Sequence, residues 1–534
     1  MNDIGKLELV FLLLLVFIVV FGLIARRLRT PYPIVMVVGG LLLGFVPGIP
    51  RIDLNPDLIF LVVLPPLLYA AAWTTSWRDF QYNFVSIFLL AFGLVGFTVV
   101  AVALVAPSVF AGFDWRLGFV LGAVVAPTDA IAATSIARRI GLPRRIVDIL
   151  EGESLINDAT GLLALQFAIA IVVHKQVPTV FEGISIFAWL TAGGIALGLL
   201  VGFVAYYIER RIDDGPIEIT LSILIPYAAY LAAEEVHASG VLAVVTCGLF
   251  LSRRSANFFS PAVRLQAWSV WEALNYVLNG LVFVLIGLQL PAVRGSIREY
   301  SLSTLVMDGA IFSAMLILLR LMWVFPGAGV AWLVRTRILH QRERLPRRDQ
   351  IFVLGWTGMR GVVSLAAALA LPVLLADGNP FPQRDLIVFL TFCVICVTLV
   401  LQGLTLPPLI RALGLAGAAG PNCEEQEARR IMIDAAVSHL NDAKEKDSEE
   451  AAALYEDLTQ HYGQRLASLR SVDGNPGQAA GHDRHLELSL EALRVERETV
   501  VRLRDEGRIN DDVLRRIEHE LDLSESRIIT VREE

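Results

Sequence analysis

Residues 122–131 read GAVVAPTDAI and residues 355–361 read GWTGMRG, each inside an otherwise apolar run. Pro127 has no backbone N–H and disfavours helix at Ala126, so a helix running through Gly122 has to break beside Thr128 and Asp129. Gly355, Gly358 and Gly361 permit the same unwinding in the second run, whose only charge is Arg360. The surrounding composition puts both breaks inside a bilayer. The chain has 534 residues, of which 55% are hydrophobic and 18% charged, with a mean hydropathy of +0.61, too apolar for a soluble protein of this size.

Outward from the breaks, thirteen stretches approach the roughly 20 apolar residues that a crossing helix needs. Their cores are 7–25, 32–48, 57–73, 84–107, 117–137, 146–173, 183–208, 217–234, 238–252, 274–291, 305–334, 351–376 and 385–410, with Glu234, Glu235 and His237 separating the eighth from the ninth. The first stretch lacks a basic leader and a cleavage site, so it reads as a span and not a signal. Alternate loops carry the basic residues: Arg26, Arg27 and Arg29; Arg78; Arg138, Arg139, Arg144 and Arg145; Arg210 and Arg211; Arg253, Arg254 and Arg264; and the cluster from Arg335 through Arg337, Arg342, Arg344 and Arg347 to Arg348. The other loops hold only Arg51, Arg116, Lys175, Arg294, Arg298 and Arg384. The positive-inside rule then sets the N-terminus outside and the C-terminus in the cytoplasm, a parity that thirteen spans satisfy and twelve do not.

The interrupted stretches are the fifth of spans one to six and the fifth of spans eight to thirteen. The halves are offset by seven crossings, an odd number, so they run in opposite directions. Interrupted helices at matching places in two inverted halves point to the midplane site of a secondary transporter. The expected fold is therefore all-α and polytopic, with inverted repeats and crossed discontinuous helices at spans five and twelve. Residues 1–415 form the membrane domain and 416–534 a polar tail. From Pro421 onward there are 27 acidic and 16 basic side chains, against 25 and 29 before it. Helical periodicity over Ile431–Leu469 and Leu486–Leu521, with a loop-like Ser471–Gly481 between, makes the tail a helical cytoplasmic appendage.

Span six opens on Asp148, Glu151, Glu153, Ser154, Asn157 and Asp158 before turning uniformly apolar. On a helix, 151, 154 and 158 share one stripe and 153 and 157 a neighbouring one about 100° away, so Glu153 and Asp158 can hold different jobs. A charge at mid-bilayer costs about 2.5–3.5 kcal/mol even on the gentlest scale, which marks these side chains as functional or paired. Cys247, Cys393 and Cys396 lie in apolar stretches and read as packing thiols. No GxxxxGK[ST] loop is present, which disfavours a nucleotide-driven pump, and neither a nucleotide nor a nucleic acid is an expected partner. Ser154, Asp158 and His237 are the conceivable catalytic groups of a membrane enzyme, but no GxSxG or HExxH accompanies them and no enzyme or cofactor is expected.

Six ordered segments resemble the NhaP-type cation/proton antiporters, relatives of the animal sodium/proton exchangers: LPPLLYAAAW (64–73), APTDAIAATS (126–135), EGESLINDATGLL (151–163), YVLNGLVFVLIGLQL (276–290), GMRGVVSLAAAL (358–369) and LVLQGLTLPPLI (399–410). The resemblance covers roughly residues 1–415. It implies a homodimer in the lipid bilayer of the cell membrane, each protomer with a dimerisation half and a core half. It also implies that Asp158, beside Asn157, binds Na+ and H+ in turn, that Thr128 contributes its carbonyl and Ser154 a further oxygen to the Na+, that Asp129 is an acidic neighbour, and that Glu153 pairs with Arg360. Many relatives carry an acid shortly after LPPLL, where Ala70, Ala71 and Ala72 stand here.

Oxygen ligands of this kind suit a hard cation. A carboxylate able to hold Na+ (or Li+) or H+, but not both, couples their flows by competition. The empty carboxylate is then too costly to move. Because Asn157 is uncharged, one titrating acid faces the site and exchange is expected to be electroneutral, one for one. Glu151 is the candidate for a cytoplasmic funnel. A K+/H+ antiporter uses the same oxygen chemistry, and a passive cation channel would conduct without a proton gradient.

Overall fold

A computed structural model describes residues 3–46, 56–174, 179–255, 258–291, 293, 297, 300–341, 345–375, 378–417, 423–444, 455–456, 458–460, 462–463, 476–506, 508, 517, 520–526 and 528. These residues are overwhelmingly helical. In chain order the helices are α1 (Asp3–Leu28), α2 (Tyr32–Gly44), α3 (Pro56–Thr74), α4 (Trp77–Val109), α5 (Trp115–Val125), α6 (Ala130–Ile140), α7 (Arg144–His174), α8 (Val180–Glu209), α9 (Gly215–Glu235), α10 (Gly240–Ser252), α11 (Pro261–Leu288), α12 (Leu302–Arg337), α13 (Arg348–Trp356), α14 (Val362–Leu369), α15 (Arg384–Ala412), α16 (Cys423–Lys444) and α17 (Pro476–Asp505). Among the described residues ten segments are long and apolar enough to cross a membrane, α5 and α6 counting together, and α2 and α10 are shorter apolar helices.

Local chemistry explains the boundaries. Asp114, Ser239, Ser260 and Ser301 cap α5, α10, α11 and α12, each side chain accepting a backbone N–H of the first turn. Gly141 closes α6 in the left-handed conformation, at φ 73°. Between α9 and α10, where Glu234, Glu235 and His237 interrupt the apolar run, the chain makes a short turn with His237 at φ 53°.

Burial separates the centre of the bundle from its rim. The most apolar windows of α5/α6 and of α15 are each 72% buried, against 17% for α1 and 11% for α8, whose apolar side chains point outward. Such surface is stable only against lipid or another protein. Small residues let helices touch: Gly40 of α2 lies on the Val284 carbonyl of α11, and Gly287 of α11 on the Val37 carbonyl of α2.

The chain divides into two compact units, Met1–Ala419 and Gly420–Glu534. In the second, α17 begins at Pro476, inside the segment expected to be a loop, and the remainder of that segment, 471–475, lies outside the described residues. So do 464–469 of the first expected tail helix, and Arg51, Lys175, Arg294, Arg298, Arg342 and Arg344 among the loop charges.

Candidate ion-binding site

The helix through Gly122 does break where Pro127 requires it. Residues 126–129 leave the helix between α5 and α6, with Asp129 extended, and residues 357–361 form the matching gap between α13 and α14. The gaps cross. The Asp129 N–H donates to the Met359 carbonyl (2.8 Å), and Ser364 Oγ of α14 to the Pro127 carbonyl (3.4 Å). Gly361 is needed at the crossing, because a Cβ there would run into the Asp129 side chain.

A broken helix leaves unsatisfied ends with partial charges, positive at the N-terminus and negative at the C-terminus. Charged side chains answer them here. Asp129 caps α6, its Oδ1 accepting the Ile131 N–H at 2.8 Å. Arg360, 2% exposed, donates from Nε to the Val125 carbonyl at the end of α5 (3.0 Å) and from Nη1 to the Gly358 carbonyl (2.5 Å).

Arg360 is therefore not the ion-pair partner of Glu153 that the family resemblance implied. Glu153 pairs with Arg320 of α12: Nη1 to Oε1 at 2.5 Å and Nη2 to Oε2 at 2.9 Å, with both side chains 1% exposed. Arg320 also donates from Nε to the Gly355 carbonyl and from Nη2 to the Leu354 carbonyl, both at 3.2 Å. Its side chain fills the space beside Gly358, where no larger residue fits. The reason for the exchange of partners is geometric: Nε and Nη1 of Arg360 are turned onto carbonyls at the break, and a bidentate guanidinium from another helix matches the carboxylate.

Around this frame the expected oxygens converge. Ser154 Oγ donates to the Thr128 carbonyl (2.8 Å), and the Ala130 N–H reaches Ser154 Oγ at 3.3 Å. Thr128 Oγ1 donates to Glu153 Oε1 (3.1 Å) and accepts from Asn157 Nδ2 (2.6 Å). Asn157 Oδ1 is buried without a hydrogen-bond partner among the described residues. Asp158, 8% exposed, has neither a hydrogen bond nor an ion pair there.

Asp158, Ser154, Thr128 and Asp129 line one cavity of about 350 Å³, walled opposite by Ala70 and Ala71. Glu151 and Arg138 line it too, paired at 2.6 Å with side chains 20% and 62% exposed, so this is its solvent end. From Glu151 to Asp158 is about 10 Å along α7 at 1.5 Å per residue. A route from the exposed Glu151–Arg138 pair therefore leads to a buried carboxylate in a cavity shared with the oxygens of Thr128, Ser154 and Asp129, an arrangement able to take a small monovalent cation or a proton.

The chain matches the profile described as "Sodium/hydrogen exchanger, transmembrane" over residues 12–412. It belongs to the sodium/hydrogen exchanger family. An uncharacterized Na+/H+ exchanger of Mycobacterium tuberculosis is 34% identical over 98% of this chain and 96% of its own length. The Na+/H+ antiporter ApNhaP of Aphanothece halophytica is 31% identical, covering 91% and 90% of the two chains. A sodium, potassium, lithium and rubidium/H+ antiporter of Bacillus pumilus is 31% identical over 94% of this chain and 75% of that protein. The solved structure of the sodium proton antiporter MjNhaP1 from Methanocaldococcus jannaschii at pH 8 superposes with a TM-score of 0.58 at 18% identity, covering 76% of this chain and 99% of that one. The fold is thus that of the NhaP antiporters, and this exchanger is a multi-pass membrane cation/proton antiporter.

Sequence reasoning missed three residues of the exchanger's site. Arg320 was legible, as a lone charge in the apolar run MLILLRLMW. Asn275 and Asn279 of α11 line the cavity, each with a buried Oδ1 that has no hydrogen-bond partner among the described residues. Asn279 stands inside the quoted segment 276–290 and Asn275 just before it, but no charge or helix break marked either as a site residue.

Proposed function

We propose that this exchanger moves Na+ or Li+ against H+ one for one, the two cations competing for Asp158. The observation that carries the reading is Asp158 itself, a buried carboxylate on a solvent-connected cavity with no protein partner among the described residues. Its neighbour is the neutral Asn157, and Asp129 is already engaged as the α6 cap. In this reading Thr128 and Ser154 supply the remaining protein oxygens of a Na+ at Asp158, while Glu153, Arg320 and Arg360 hold the crossing rigid. Loaded with either ion the carboxylate is near neutral and can cross the barrier; empty, it cannot. Arg138 lies at the solvent end of the cavity, in the basic loop that also carries Arg139, Arg144 and Arg145, and the positive-inside rule makes that end cytoplasmic, in the cell membrane, with the N-terminus outside and the tail inside. The exposed apolar face of α8 fits a homodimer of the kind the family resemblance implies.

The test is proton efflux from acid-loaded proteoliposomes on adding Na+, Li+ or K+, comparing wild type with Asp158→Asn. Sodium-driven alkalinisation without net current, abolished in the variant, is the expected result. Exchange that survives Asp158→Asn refutes the site, and current during exchange refutes the stoichiometry. The second reading, K+/H+ exchange, is favoured by the potassium named in the Bacillus pumilus relative, and a response to K+ alone would select it.

A further inference from the structure

A second cavity, of about 920 Å³, opens where the ends of α1, α6 and α15 meet. Arg26, Arg29, Arg139 and Arg411 line it, and its lining contains no Asp or Glu. All four arginines are exposed, and none has an acidic partner among the described residues. Among the described residues the one side-chain hydrogen bond of the group runs from Arg139 Nη1 to the Arg29 carbonyl, at 2.9 Å. Four like charges around one space repel each other unless an anion enters it.

The rest of the lining decides which anion. Val19 and Leu23 of α1 line the same cavity and are 58% and 63% exposed, on a helix whose outward face is apolar. Deeper in stand Tyr32 and Tyr276, with ring centroids 5.5 Å apart. A basic rim joined to an apolar face at the end of a membrane helix suits a molecule with a phosphate at one end and hydrocarbon at the other. Free phosphate would use the rim and gain nothing from the face.

We propose that this cavity binds the phosphate headgroup of an anionic phospholipid, its acyl chains lying along Val19 and Leu23. Guanidinium forks match phosphate oxygens bidentately, which suits arginine to the task. The site also bears on transport. Arg139 sits on α6, whose opposite end is the Asp129 cap at the ion site, and the Gly417 N–H donates to the Ile140 carbonyl at 3.1 Å, joining the end of α6 to the segment after α15. A headgroup held between α1 and α6 would tether that half-helix.

The experiment is native mass spectrometry of the full-length protein titrated with phosphatidylglycerol, with phosphatidylcholine of the same chains, and with inorganic phosphate. Expected is retention of phosphatidylglycerol over phosphatidylcholine, weakened by at least about tenfold in Arg139→Gln/Arg411→Gln and unchanged in Arg337→Gln. If the double variant misfolds, Arg26→Gln/Arg29→Gln carries the same expectation. Unchanged retention in a folded double variant overturns the proposal. So does displacement of the lipid by inorganic phosphate at equal concentration, which would identify a free-anion site. The binding readout does not depend on which cation is exchanged.

Discussion

Removing the Arg320 guanidinium while leaving Glu153 strands a carboxylate that is 1% exposed. An uncompensated buried charge costs about 3–5 kcal/mol. Arg320→Met falls in the upper part of that range, because the Gly355 and Leu354 carbonyls also lose their donor. Adding Glu153→Gln removes the stranded charge and leaves an acceptor for Thr128 Oγ1, so the double variant recovers about 2–3 kcal/mol of the loss. The same cycle built on Arg360→Met couples less than half as strongly to Glu153→Gln. Arg360→Met on its own unpairs two carbonyls and costs about 1–3 kcal/mol. The assay is thermal unfolding of the purified exchanger in detergent. At about 1–2 °C per kcal/mol, below the 2–4 °C typical of 150–250-residue domains, Arg320→Met lowers the midpoint by roughly 4–10 °C. A larger coupling of Glu153 to Arg360 than to Arg320 would refute the assignment of the pair. So would an Arg320→Met midpoint no lower than that of exposed Arg337→Met.

Gly361→Ala places a methyl group against the Asp129 side chain at the helix crossing; overpacking of this kind costs about 1–3 kcal/mol, and the loss of exchange is expected to exceed the loss of stability, read by transport and melting side by side. Asn279→Leu removes an amide oxygen from the cavity wall, and if that oxygen meets the passing cation the apparent KM for Na+ rises by about fivefold, worth about 1 kcal/mol, with maximal rate little changed; an unchanged KM would remove Asn279 from the ion path. Glu151→Gln opens the exposed pair with Arg138, worth at most about 1 kcal/mol; the melting midpoint should hold, and any fall in exchange rate should be larger at low ionic strength than at physiological salt.

Much of this protein is determined by residue order alone. Composition and loop charge specify a polytopic helical membrane protein, Pro127 requires the first break, and the glycines at 355, 358 and 361 allow the second, because these are properties of the backbone within a few residues. Helical spacing separates Glu153 from Asp158 for the same reason. What the tertiary structure decided is who meets whom. Glu153 and Arg320 are 167 positions apart, and which guanidinium reaches the carboxylate follows from how α7, α12 and the crossing pack. Arg360, the partner that the family resemblance implied, is diverted to carbonyls that exist as free acceptors only because α5 and α13 end there. Asn275 and Asn279 belong to the cavity only because α11 turns that face toward it. The desolvation cost of a buried charge or amide says that it needs a partner or a purpose; only the packing of distant helices says which.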